Sequence, residues 1–179
     1  LFAPLGVTLI RQSELGIPEA EEPYKTFVEN ALAKARNAAL HSGLPAIADD
    51  AGLCVDAFGG LPGVDTAYYC TQFGYEKSDA NNVLALLEQL QGQGNRRAAM
   101  VSTLVAVRSA DDPEPLVAVG RWEGEILAAP RGAVLLRPGN TQSIDPGAVH
   151  RALPRIELLK AEAVTQHDLV DRHQPAFDG

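Results

Sequence analysis

At 179 residues the chain is long enough for one domain with a substantial core and short for two. Its 46% hydrophobic and 21% charged residues are the balance of a soluble globular protein. A formal net charge of −8 with no long basic run argues against a groove for a nucleic-acid backbone, which needs clustered Lys and Arg to displace counterions. An acidic chain still takes a polyanionic nucleotide when a divalent cation lies between the two, so the charge favours a metal–nucleotide substrate.

Gly6-Val7-Thr8-Leu9-Ile10 reads as a short strand, and Arg11 to Tyr24 as a loop carrying Glu19, Glu21 and Glu22. Thr26-Phe27-Val28-Glu29 is a capping box, in which hydroxyl and carboxylate satisfy reciprocal backbone donors. The helix it opens runs to about His41 and stops at Gly43, a suitable left-handed cap. Phe27, Ala31, Ala35 and Ala38 share one buried face of small residues, with Glu29, Asn30, Lys34 and Asn37 off it.

Residues 45–50 form an apolar run ending on Asp49 and Asp50, followed by a turn at Ala51-Gly52 and a second apolar run to Val55. Gly59-Gly60-Leu61-Pro62-Gly63 then breaks the chain. Ser78-Asp79-Ala80-Asn81 opens a second helix with an apolar stripe of Val83, Leu84, Leu86, Leu87 and Leu90, closed by Gly92 and Gly94. Ala98–Val107 and Leu116–Leu127 are strand-like and joined by Asp111-Asp112-Pro113-Glu114-Pro115, a hairpin signal. Residues 155–170 suit a helix through Ile156, Leu158, Leu159 and Ala163, and the end of the chain a frayed tail. The order gives α/β or α+β with a mixed sheet.

No apolar stretch approaches the roughly 20 residues of a membrane span. Leu1-Phe2-Ala3-Pro4 lacks the basic start and apolar core of a signal peptide, and without an initiator Met the chain is expected to begin part-way through a gene product. Cys54 and Cys70 make no CxxC pair or zinc spacing and read as reduced thiols in a cytosolic protein. The four histidines form no triad, and no P-loop or dinucleotide fingerprint is present.

Asp49 and Asp50 point to opposite faces of an extended backbone. They read either as an acidic turn capping amides or as one cleft-facing carboxylate with a structural neighbour. The second acid pair, Glu21-Glu22, lies just before a helix start, where carboxylates can hold Mg²⁺ beside a triphosphate. Lys34 is either a solvated lysine or a neutraliser of phosphate charge. Glu29 is structural through the capping box, and Trp122 is either a core residue or a base-stacking one.

These residues resemble a family. Thr26-Phe27-Val28-Glu29-Asn30-Ala31-Leu32-Ala33-Lys34-Ala35, Ala48-Asp49-Asp50-Ala51-Gly52-Leu53, Gly59-Gly60-Leu61-Pro62-Gly63-Val64 and Gly120-Arg121-Trp122-Glu123-Gly124 are similar, in order and spacing, to the inosine triphosphate pyrophosphatases. The resemblance covers about residues 1–132 and leaves 133–179 as a divergent, partly helical segment, unrelated or out of frame. It implies an α/β fold with a mixed central β-sheet flanked by helices, a cleft between two lobes, and a cytoplasmic homodimer that binds neither nucleic acid nor membrane. It also implies Mg²⁺-dependent hydrolysis of dITP, ITP or XTP, purine nucleoside triphosphates, to monophosphate and pyrophosphate. Asp50 falls on the general base and a metal ligand, Glu21 on a metal ligand with Glu22 and Asp49 close by, and Lys34 and Ala51 on substrate-contacting positions.

The sequence also departs from the pattern. Ala51 stands where a serine is usual, Tyr68 where an arginine is common, and Ala133-Val134-Leu135-Leu136-Arg137-Pro138 where the purine-reading Gly-Phe-Gly-Tyr-Asp-Pro would lie. The family's opening strand and its Thr/Ser-Gly-Asn-x-x-Lys phosphate loop would precede Leu1. The alternative implied by these departures is an impaired member or fragment that only binds nucleotide or a partner subunit.

Overall fold

The computed structural model describes residues 8–131, 134–138 and 163–166. Among the described residues six strands, β1 (Leu9–Arg11), β2 (Ala46–Val55), β3 (Arg97–Val107), β4 (Leu116–Arg131), β5 (Val134–Pro138) and β6 (Ala163–Gln166), make one sheet in the order β1-β6-β2-β3-β4-β5. β6 is parallel to both β1 and β2, and the remaining neighbours are antiparallel, so the sheet is mixed, as expected. Two helices, α1 (Phe27–Ser42) and α2 (Asp79–Gln89), and a 3-10 stretch, Gly63–Phe73, pack against it.

Local signals account for both helices. Thr26 is extended at the α1 N-cap and its hydroxyl accepts from the Glu29 N–H at 3.4 Å, while Gly43 closes the helix at φ 70°. The Glu29 carboxylate accepts the Thr26 hydroxyl proton, a variation on the expected reciprocal backbone bond. Ser78 caps α2 through the Asn81 N–H at 3.1 Å. Within the α2 stripe Leu86 and Leu90 are buried, whereas Leu84 is exposed. The expected hairpin is formed by β3 and β4, paired without interruption from Arg97↔Glu125 to Ala106↔Leu116.

Three expectations change. First, β2 does not turn at Ala51-Gly52: its pairing with β3 is unbroken from Ala46↔Val107 to Val55↔Ala98, so the acid pair lies in mid-strand. Glycine at position 52 serves close approach instead. A Cβ there would stand 2.2 Å from the Gly63 carbonyl oxygen, 2.7 Å from Thr66 Oγ1 and 3.0 Å from Phe27 Cε1. Second, Asn30 and Lys34 are not off the buried face of α1; both are buried there beside the alanines. Third, of the helix expected over 155–170, residues 163–166 form a strand, whose backbone is paired on both edges; the others lie outside the described residues. Sheet pairing of the Val164-Thr165 β-branched pair overrides a helical pattern drawn from scattered apolar residues.

Two hydrophobic cores form. Ala31, Ala35, Ala38 and Ala39 of α1 pack on Ala46, Ala48, Val105 and Val107. Leu53, Val55, Ala98 and Ile126 pack on Tyr69, Cys70 and the buried side of α2. Ala46 and Ala48 differ in strand parity from Leu53 and Val55, so the cores cover opposite faces of the sheet, each stabilised by roughly 1.5–3 kcal/mol per fully buried large apolar side chain. Residues 49–52 of β2 lie between the strand segments that contribute to the two cores.

The β3–β4 connection is held by Asp112, which is 3% exposed. Its carboxylate accepts from the Arg108 backbone N–H and Nε, both at 2.9 Å, from Arg108 Nη2, and from the Glu114 N–H at 3.0 Å. Hydrogen bonds from Arg108, outweighing burial, hold this carboxyl well below the usual carboxylate range. A depressed carboxyl stabilises fully above its unfolded value of about 3.9, and the gain is lost as pH falls toward the folded value. Asp112→Asn is therefore expected to cost about 1–2 kcal/mol at neutral pH. It should also flatten the decline of stability below about pH 4. Urea melts across that range check this, and an unchanged acid decline would count against the assignment.

Candidate active site

Asp50 shares strand parity with Ala46 and Ala48 and so faces α1. Both of its oxygens are engaged from that helix: Lys34 Nζ donates to Oδ1 at 3.0 Å and Asn30 Nδ2 to Oδ2 at 3.3 Å. Residues 30 and 34 are one turn apart, which places the two donors side by side. Lys34 Nζ also donates to the Asp49 carbonyl at 3.2 Å and pairs with Glu22 Oε2 at 2.7 Å. One ammonium thus joins the loop before α1 to the middle of β2.

Asn30 has a second task. It receives the Tyr24 N–H on Oδ1 at 3.1 Å and donates from Nδ2 to the Tyr24 carbonyl at 3.3 Å. The loop bearing Glu22 is thereby pinned to the helix that aims Asp50. Sequence pattern alone assigns Asn30 no site role, although an asparagine beside Ala31 in the opening turn of α1 is a signal, because it forgoes helix propensity for a specific hydrogen bond.

On the far side of Asp50, Thr66 Oγ1 accepts from the Leu53 N–H at 2.8 Å and donates to the Gly63 carbonyl at 2.6 Å. With Phe27 against Gly52, the start of α1, the centre of β2 and the 3-10 stretch converge two residues beyond the carboxylate. Backbone and core therefore hold Asp50 rigidly.

The Lys34 side chain is 7% exposed and that of Asp50 10%, whereas Glu22 is 41% exposed. Burial pulls the Lys34 pKa down, but hydrogen bonds to Glu22 and Asp50 and their charges outweigh it and leave it raised. A buried ion pair adds little stability over a well-packed apolar pair, so three charged groups gathered between two cores favour a functional role.

The other expected residues are placed as follows. Glu22 reaches the cluster, while Glu21 is exposed beside it. Asp49 is half-buried on the face opposite Asp50, and Ala51 is exposed on that same opposite face. Trp122 is 44% exposed, not a core residue. It lies opposite Met100, which pairs with Leu53, and so shares the face of Ala51 and not that of Asp50. Tyr68 is 54% exposed and carries Lys77 Nζ 3.9 Å above its ring centroid. Cys54 and Cys70 are free. No helix among the described residues is long and apolar enough to cross a membrane.

Among the described residues no three His, Cys, Asp or Glu side chains form a metal cage. A hard cation that completes its shell with phosphate oxygens and water needs only one or two carboxylates, however. Glu22 and Asp50 already share one cation, the Lys34 ammonium, so this donor set fits Mg²⁺.

Comparison with known proteins agrees with the ordered motifs. A family model described as the Ham1 family matches residues 2–135. The chain is 75% identical over 132 residues to a dITP/XTP pyrophosphatase of Paracidovorax citrulli, a match covering 74% of this chain and 66% of that one. It is 76% identical over 132 residues to the protein of the same name from an Acidovorax species, covering 74% and 64%. The matches thus span just under two thirds of these relatives' own length. Among solved structures, a HAM1 protein from Coxiella burnetii aligns with a TM-score of 0.68 at 32% identity, over 84% of each chain.

Proposed function

The chain belongs to the Ham1 family, and on that premise we propose that it hydrolyses the non-standard purine nucleoside triphosphates dITP, XTP and ITP to the monophosphate and pyrophosphate. The observation that carries this reading is the Glu22–Lys34–Asp50 cluster, in which a buried lysine of α1 and a buried aspartate of β2 meet a partly exposed glutamate. It lies inside the stretch shared with relatives named dITP/XTP pyrophosphatase.

In this reaction water attacks the α-phosphorus, the bond from that phosphorus to the bridging oxygen breaks, and pyrophosphate leaves with the electron pair. Asp50 is the general base: it orients the water and takes its proton onto a carboxylate oxygen. Asn30 keeps that carboxylate aimed, and Lys34 contributes positive charge to the phosphates. Ala51, lacking the usual serine hydroxyl, has only its backbone to offer substrate. Mg²⁺, held by Asp50 with Glu22 or Glu21 and, at position 49, by no more than the backbone carbonyl, since the Asp49 side chain lies on the opposite face of β2, would supply charge neutralisation of the triphosphate and of the departing pyrophosphate. The family match ends at residue 135, which supports residues 1–132 as pyrophosphatase-like and 133–179 as a segment divergent in sequence, although its β5 and β6 belong to the same sheet.

The test is pyrophosphate release from dITP, XTP and ITP against ATP, with and without Mg²⁺. The expected result is Mg²⁺-dependent turnover that favours the non-standard purines. Turnover of none of them under any condition would favour a chain that only binds nucleotide. The cytoplasmic homodimer implied by the resemblance belongs to the same proposal, and sedimentation at the mass of a single chain overturns the dimer.

A further inference from the structure

We propose that Lys34 Nζ and a divalent cation are alternative occupants of one position, so that loading the cation releases Lys34 toward the phosphates of the incoming nucleotide. This rests on the pyrophosphatase reading above for the identity of the phosphates, but not for the exchange itself. Three oxygens surround the ammonium: Glu22 Oε2 at 2.7 Å, Asp50 Oδ1 at 3.0 Å and the Asp49 carbonyl at 3.2 Å. Two carboxylates and a carbonyl are the ligand chemistry of a hard cation, and here they converge on a side-chain one.

Charge accounting favours exchange over coexistence. Glu22, Asp50 and Lys34 together carry one net negative charge. A divalent cation added while Lys34 stays would face an ammonium in the same buried space, whereas a displaced Lys34 leaves the two carboxylates matched by the two positive charges. Lys suits this role, since a compact ammonium on a four-carbon stem can change partners without backbone movement. Asn30 gives the exchange a fixed frame. It holds Asp50 Oδ2 at 3.3 Å and the Tyr24 backbone at 3.1 Å, so both sides of the site stay in place when the lysine leaves.

The experiment titrates Mn²⁺ into the full chain without nucleotide, with free Mn²⁺ read by electron paramagnetic resonance, for the wild type, Lys34→Met and Lys34→Gln. Removing the competing ammonium is expected to tighten Mn²⁺ binding by roughly tenfold or more. Equal or weaker binding in both variants overturns the proposal, since it makes Lys34 a bystander or a support for the metal. If the variants lose their cooperative melt, saturating Mg²⁺ is expected to restore it, because the cation takes over the lysine's place between the carboxylates. Failure of Mg²⁺ to do so also overturns the exchange. Wild-type turnover of dITP with no tightening in the variants sinks the exchange alone. Tightening without wild-type turnover sinks the pyrophosphatase reading alone.

Discussion

Asp50→Asn is expected to lower the kcat for pyrophosphate release by a factor of about 10²–10⁴, the range supplied by a positioned general base. The amide keeps the shape of the carboxylate but cannot take a proton from water. The substitution is mild for the fold: Lys34 retains Glu22 at 2.7 Å and is not left as an unpaired buried charge, the situation that costs most. KM should move far less than kcat, because the phosphates are contacted by other groups. Steady-state kinetics alongside thermal melts give the decisive comparison. A folded variant that retains turnover within about tenfold of the wild type, less than a general base supplies, would remove Asp50 from that role.

The largest structural effect is expected at Gly52. In Gly52→Ala the new methyl meets the Gly63 carbonyl oxygen at 2.2 Å, with Thr66 Oγ1 and Phe27 behind it. The nearest atom belongs to the backbone, so the clash is relieved only by moving the 3-10 stretch, and the cost should reach the upper end of overpacking, about 3 kcal/mol or more. For a chain of this size that is a fall in Tm of roughly 6–12 °C. Activity should fall with it, since the Thr66 bridge to Leu53 N–H is what fixes β2 just beyond Asp50. Gly120→Ala is the matched control: it lies in β4 of the same sheet, with β3 between it and β2, and its Cβ would meet nothing closer than the Ser102 carbonyl at 3.9 Å. If the two variants melt together, the close-approach account of Gly52 is wrong.

Much of this architecture was legible because its signals are local. The Thr26 cap, the Gly43 stop, the Ser78 cap and the β3–β4 hairpin each involve residues a few positions apart, and the structure has all four. The acid pair illustrates both sides. Strand alternation correctly sent Asp49 and Asp50 to opposite faces, yet Gly52 read as a turn because no single sequence reveals that another backbone passes 2.2 Å from its missing Cβ. Lys34 and Asn30 were misplaced for a related reason. Polar residues on a helix are assigned to solvent unless a partner is visible, and their partner Asp50 lies 16 and 20 residues away. β6 joins the sheet between two strands far from it in sequence, which no window across 155–170 could disclose.

Local signals in the sequence were thus enough for α1 and both its ends, the start of α2, the hairpin, the mixed α/β class and, through several ordered motifs, membership of the Ham1 family, whereas α2 stops at Gln89, short of the expected Gly92 and Gly94. Tertiary structure alone decided that Lys34 is buried, that Glu22 and not Glu21 meets it, and that Asn30 ties that loop to Asp50. The physical reason is range. Capping, periodicity and turn chemistry act within one or two turns of chain, whereas a charged cluster exists only once packing brings separate segments together and removes the water that would otherwise screen them.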